Sequence, residues 1–351
     1  MAEQQLQSYR ASKPRKRIIR NSTGVQAIDL NSHYEWDLDK IGLCTGVILK
    51  ITGTVTIDNT GTGVIANLGP WSLIKRLKLT TASGASLYDT PGYDAFQLNK
   101  RQKVAWGPDG AGLYTEATDV YSVPVVQNTA NAWELHLWVP FSQNDGSMFD
   151  SGIFGLQSNV TQVKLELDTA TAGTDFVSRY ASEALTAEIW NVIYDPPMAG
   201  APVRWPNNRI VKTISTQYSG IVAGENLLEI PRQGILLDAQ LRCVFNGSRS
   251  NALDFIKFRT NYTDYYEDRK PSIDHFLYSR LYGKPADTGI FTLDFNSAGD
   301  LPFTGDMLHT YNLLDYSKTE LVAQVTAGTT VSGTTYMQLT TRHWLPAQTI
   351  R

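Results

Sequence analysis

Glu166 and Asp168 stand two residues apart in the alternating run TQVKLELD, residues 161–168. That spacing puts both carboxylates on one side of a strand. A pair so placed could act as acid and base in glycoside cleavage. Lys164 falls on the same side, and an ordinary solvated strand face accounts for all three residues without any reaction. The aromatic and acidic stretch YTDYYEDR, residues 262–269, could hold a sugar or serve as a plain exposed loop.

Other chemistries lack their residues. The five histidines, His33, His136, His275, His309 and His343, form no HxH or HExxH spacing. The two cysteines, Cys44 and Cys243, form no CxxC and lie in separate apolar runs, which predicts buried free thiols and folding in a reducing compartment. No Gly-x-Ser-x-Gly elbow and no phosphate-binding loop is present. No metal site, catalytic residue or cofactor is expected. Asn21, Asn159, Asn246 and Asn261 open Asn-x-Ser/Thr triplets, which mean little without a secretory signal, and no such signal is visible.

A basic cluster stands out instead. Arg10, Lys13, Arg15, Lys16, Arg17 and Arg20 against Glu3 give the first twenty residues a net charge of +5, leaving −8 on the rest. Such an arm suits sequence-independent, salt-sensitive contact with phosphate, in nucleic acid or lipid head groups. Trp71, Trp106 and Trp205 each adjoin a proline or glycine and are candidate anchors of a subunit interface.

The elements that must carry these residues read as strands. The chain has 351 residues, above the usual size of one core, so two domains are expected. Charged residues make up 19%, and short alternating runs recur: residues 41–57, 73–79, 133–141, 161–168 and 187–194. Ser83-Gly84 predicts a hairpin turn, and residues 93–104 a short helix with Asp94 near its start. Residues 195–208 hold four prolines and mark a linker.

Beyond the linker the same series returns. Residues 235–245 answer 41–57, 255–261 answer 73–79, Asp274-His275-Phe276 answers Asp94-Ala95-Phe96, 291–296 answer 135–142, and 319–325 answer 161–167. Five segments in one order, with a helix among them on each side of a proline linker, predict a duplicated β-sandwich. The divisions are a basic arm at 1–24, a first sandwich at 25–195, a linker at 196–208 and a second sandwich at 209–351.

Tandem sandwiches with helices at 93–100 and 273–281, a proline linker and a charged arm resemble the double jelly-roll major capsid proteins. That family includes those of tailless, internal-membrane bacteriophages and the adenovirus hexon. The resemblance spans Val25 to Trp344. It implies an all-β chain of two tandem eight-stranded jelly rolls with short helices in the connections, and a structural role rather than an enzymatic one. Three copies would form a pseudo-hexagonal trimer tiling an icosahedral shell, with neighbouring trimers and penton or minor capsid proteins as partners. The arm would face internal membrane lipid or genome, and segments 103–127 and 283–289 would be outer or inter-subunit loops. The place implied is the virion shell, assembled in the host cytoplasm. A carbohydrate-binding or glycoside-cleaving sandwich and a viral spike or vertex protein are the alternatives.

Overall fold

Where apolar and polar residues alternate, the chain forms strands with one face in a core. The computed structural model describes residues 16–57, 69–101, 130–141, 153–154, 162–171, 180–194, 210–264, 269–283, 285–295 and 311–345. The first half contains β1 (Lys16–Ile28), β2 (His33–Asp37), β3 (Leu43–Ile57), β4 (Ile74–Thr81), β5 (Ser86–Thr90), helix α1 (Gly92–Arg101), β6 (Ala130–Pro140), β7 (Ile153–Phe154), β8 (Val163–Thr169) and β9 (Tyr180–Tyr194). The second contains β10 (Ile210–Tyr218), β11 (Gly224–Glu229), β12 (Ile235–Phe245), β13 (Ser248–Arg249), β14 (Leu253–Thr260), β15 (Thr263–Asp264), helix α2 (Pro271–Tyr282), β16 (Ile290–Asp294), β17 (Tyr311–Asn312), β18 (Thr319–Val325) and β19 (Tyr336–Leu345).

Setting aside the two-residue strands β7, β13 and β17 but keeping β15, itself two residues long and paired with β14, each half has eight strands in two sheets among the described residues. The first half pairs them as β1-β9-β3-β6 and β2-β8-β4-β5, the second as β10-β19-β12-β16 and β11-β18-β14-β15. Counted from one to eight within its half, each sandwich has the orders 1-8-3-6 and 2-7-4-5, with a helix after its fifth strand. Each has its own core. One gathers Trp36, Val47, Leu49, Trp71, Leu137 and Leu165; the other gathers Leu228, Leu241, Ile256, Phe258, Phe295 and Leu321.

The repetition reaches single residues. Gly42 and Gly234 both precede the third strand at positive φ, 59° and 64°. At either, a Cβ would run into a carbonyl oxygen of the eighth strand, that of Tyr194 or Trp344. A bulge follows, between Cys44 and Gly46 in one sandwich and between Leu236 and Asp238 in the other. The extra residue's carbonyl then accepts from the sixth strand's end: Phe141 N–H to Thr45 at 2.9 Å, Phe295 N–H to Leu237 at 3.0 Å.

The expected start of the first sandwich at residue 25 moves to Lys16, where β1 begins pairing antiparallel with β9. The charges of residues 16–20 conceal two adjacent isoleucines, and Ile19 packs against the core. β1 shifts register between Arg20 and Val25. There the buried Asn21 side chain donates to Asp37 O at 2.9 Å and accepts from Asp39 N and Asn191 Nδ2 at 2.9 and 3.0 Å. Residues 196–208, read as the linker, lie outside the described residues. Cys44 and Cys243 are buried and free; burial pushes the Cys44 thiol up to about 12.

Candidate assembly surfaces

Helix α1 is buried over all ten residues, five of them polar or charged: Asp94, Gln97, Asn99, Lys100 and Arg101. Burial of that kind requires a partner for each group. On one side the helix packs on its own sandwich. Phe96 stacks on Trp71 with ring centres 4.8 Å apart, and the Asn99 amide donates to Trp138 O at 2.8 Å while accepting from Trp138 N at 2.7 Å.

The other side of α1 meets the second sandwich. Ala239, Leu241, Cys243 and Phe245 of β12 face that sandwich's core, so the alternate residues Asp238, Gln240 and Arg242 face outward. They are nonetheless buried. Arg242 grips Asp94 through two hydrogen bonds of 3.0 and 2.8 Å, and its guanidinium lies over the rings of Tyr93 and Tyr336 at 5.6 and 5.4 Å. Asp238 accepts from Arg101 at 3.0 Å and from Arg342 Nε at 2.6 Å. At the margin, Asp287 accepts from Tyr93, Gln97 and Lys100. Burial pushes the Asp238 carboxyl up, but Arg101 and Arg342 together outweigh it and hold it below the usual carboxylate range. Strand β5 adds a parallel pairing to β10, Thr213 with Tyr88 and Ile214 with Asp89. A shifted seam would leave Asp94, Arg101 and Arg242 without their counter-ions, which opposes sliding of one sandwich on the other.

The carboxylates suspected of chemistry lie elsewhere. Glu166 and Asp168 do share a side of β8, but each is engaged by a neighbouring strand. Glu166 accepts from Lys78 at 3.2 Å and Thr80 at 2.5 Å; Asp168 meets His33 at 2.5 Å. Glu35 takes Lys164 at 2.9 Å, and Arg76 clasps Asp89. This is a ladder of cross-strand ion pairs on a sheet face. Hydrogen bonds that the His33 ring donates to the Asp168 and Glu35 carboxylates raise its pKa above the usual 6.5. His136 stands at the half-exposed rim of β6, 3.4 Å from Glu134. Among the described residues, no three or more His, Cys, Asp or Glu are grouped to hold a metal ion.

Trp71, expected as an interface anchor, is 1% exposed and belongs to the first core. The proline beside it opens a short 3-10 turn, Gly69–Leu73, that turns the indole inward. Trp106 and Trp205 lie outside the described residues, as do Arg10, Lys13 and Arg15. Lys16 opens β1; Arg17 and Arg20 are exposed on it.

No protein-family model and no curated protein matches the sequence. Solved structures do match the fold. The major capsid protein of Sulfolobus Turreted Icosahedral Virus aligns at a TM-score of 0.68 with 11% identity, covering 94% of this chain and 97% of that one. VP54 of PBCV-1 gives 0.63 with 12% identity, over 95% and 94%. The major capsid protein of bacteriophage PM2 gives 0.56 with 13% identity, over 94% and 97%. The chain is a double jelly roll.

The two jelly rolls are alike in fold but not in cover. The matched bulges pair Ile48 with Gln240 and Lys50 with Arg242 on the third strands, and Glu188 with Gln338 and Trp190 with Thr340 on the eighth. In the second jelly roll these residues are buried under the seam; in the first all four are half-exposed. Lys50 shows 29% of its side chain where Arg242 shows 3%. By the same register Ile18 of β1 corresponds to Thr213 of β10, and Ile18 is 57% exposed while Thr213 is wholly buried. Helix α2 also differs from α1: it buries Asp274, Tyr278 and Tyr282 but exposes Ile273 by 52% and Phe276 by 61%.

Proposed function

We propose that this chain is a major capsid protein, three copies forming a pseudo-hexagonal trimer and the trimers tiling an icosahedral viral shell. The observation that carries the reading is the double jelly roll itself, which agrees nearly end to end with named major capsid proteins. Two like sandwiches per chain give a three-chain ring six similar sides, the outline that packs in hexagonal array. The rigid seam supports it, because a shell tile must hold its shape. The role is structural rather than enzymatic: Glu166 and Asp168 are bound into a strand-to-strand charge ladder.

Partners under this reading are two further copies, neighbouring trimers, and penton or minor capsid proteins, within the virion after assembly in the host cytoplasm. Arg10, Lys13, Arg15, Lys16, Arg17 and Arg20 would meet phosphate on the inner face, in lipid head groups or genome, with affinity falling steeply as salt rises. The test is the mass of the purified chain by light scattering after size exclusion, with electron microscopy of concentrated samples. Three chains per particle and closed shells are expected. A stable monomer at micromolar concentration that forms no larger assembly would overturn the proposal.

A further inference from the structure

The seam buries more polar groups than its ion pairs use. Gln240 of β12 lies on the face that α1 covers and is fully buried. Among the described residues, neither its amide oxygen nor its amide nitrogen has a hydrogen-bond partner. Its cross-strand neighbours are Thr292 on β16 and Thr340 on β19. Thr340 bonds to Ser215 at 2.6 Å, whereas the Thr292 hydroxyl is buried and without a partner like the amide beside it. Two residues along β19, Arg342 commits Nε and Nη2 to Asp238 and leaves Nη1 unused. Thr213, directly opposite Arg342 on β10, has an unused hydroxyl. Helix α1 adds the Gln97 amide oxygen and Arg101 Nε, both buried and unused. Gln97 and Arg101 are four residues apart and so share one face of the helix. The jelly-roll fold does not itself require an amide here, since the first jelly roll carries Ile48 at the position of Gln240.

We infer that the seam binds a small cluster of internal water, held between Gln240, Thr292, Thr213 and Arg342 of the second jelly roll and Gln97 and Arg101 of helix α1. The chemistry of the unused atoms selects water. The two amide oxygens must receive a proton, while the Gln240 amide nitrogen and the two guanidinium nitrogens must give one. A halide accepts but cannot donate, and a metal cation cannot accept from N–H. Water does both. Seven such atoms, at roughly three hydrogen bonds per buried water, call for about two waters. In a dry seam each group would forfeit the hydrogen bond that it makes with solvent in the unfolded chain. Folded proteins rarely keep so many buried groups unsatisfied in one place. The water links α1 to β12, β16 and β19 beside the ion pairs, and so takes part in joining the two jelly rolls.

The test is a crystal structure of the full chain at a resolution that shows ordered water, together with urea unfolding of Gln240→Met, Thr213→Val and Thr292→Val. Each replacement is close in shape to the residue it removes. Water density within hydrogen-bonding distance of the Gln240 amide and of at least one of the other five side chains is expected. Each substitution is expected to lower the urea midpoint, because the bridging water loses a partner and the groups that remain are left less well satisfied. In a dry seam the same substitutions delete a buried group that bonds to nothing, and the midpoint would rise. The two threonine replacements keep the test open should Gln240→Met fail to fold. Midpoints unchanged or raised would overturn the inference. So would direct hydrogen bonds among these side chains with no water between them, or density that bromide replaces, which would mark a halide.

Discussion

Asp238 lies fully buried between the guanidiniums of Arg101 and Arg342, so its loss would strand two cations. Asp238→Ala should cost about 3–5 kcal/mol, read from urea midpoints. Breaking one side of the other pair, as Asp94→Leu, should cost a similar amount. Replacing both sides together, as Asp94→Leu with Arg242→Met, should restore most of it, because the desolvation of two ions disappears with their attraction. Equal costs for the single and double replacements would show that the pair is not what the seam depends on. His343 supplies a pH dependence. Burial, then Lys212, pushes its imidazole down to about 4 from the ordinary 6.5. A depressed folded value means the contribution is complete above pH 6.5 and lost as pH falls toward 4, about 3 kcal/mol across that interval. Depression of Asp238 adds to the loss at lower pH. Asp274 works the other way, since burial raises its carboxyl and acid relieves the penalty of its charge. Subtracting the urea stability of His343→Gln from that of the unaltered chain between pH 7 and 4 isolates the histidine. A difference that does not change with pH would remove it.

At the scale of elements, most of this fold was legible as a sequence. All five paired segments fall on equivalent elements: third, fourth, sixth and seventh strands, and the helix. Their alignment within strands was less legible. The bulge opposite the seventh strand falls between Ile74 and Arg76 in one sandwich and between Leu253 and Phe255 in the other, so 73–79 answers 252–258 rather than 255–261. Alternation has period two, and a slip along a strand leaves a similar pattern. The seam was visible only in part. Asp238, Gln240 and Arg242 alternate through an apolar run, the mark of a strand with a polar face. Nothing local shows that the face is covered, because its partners Arg101 and Asp94 lie 137 and 148 residues away. Gly42 and Gly234 test the equivalence directly. Alanine at either should lose about 1–2 kcal/mol to left-handed backbone alone, and more from the carbonyl in its way. Gly84, at φ 80° in the β4–β5 hairpin with open space around it, should show only the backbone share as Gly84→Ala. Chemical denaturation of the three variants should therefore rank the two strand-entry glycines together and above Gly84. A mild Gly234→Ala beside a severe Gly42→Ala would break the equivalence.

At the scale of the molecule, two apolar cores are joined through a largely polar seam, crossed by Ile290 of β16, which packs in the first core, and that division governs how the chain should unfold. Melting the first jelly roll withdraws α1 and uncovers Asp238, Gln240 and Arg242 on the second. Melting the second strips the counter-ions from Asp94, Lys100 and Arg101 on the first. Each loss leaves charges formerly buried and paired in need of water, so neither jelly roll gains by outlasting the other. The intact chain should give one calorimetric transition whose measured and van't Hoff enthalpies agree. Removing the three seam carboxylates as Asp94→Ala, Asp238→Ala and Asp287→Ala should uncouple the cores and split that transition in two, with the first jelly roll melting earlier because its fully buried helix loses its seat. A single transition merely shifted to lower temperature would mean that the apolar part of the seam holds the jelly rolls together. The distinction bears on assembly. Paired charges across the seam resist a change of angle between the two jelly rolls more than apolar contact does, and the proposed ring of three chains would close only if that angle were the same in each.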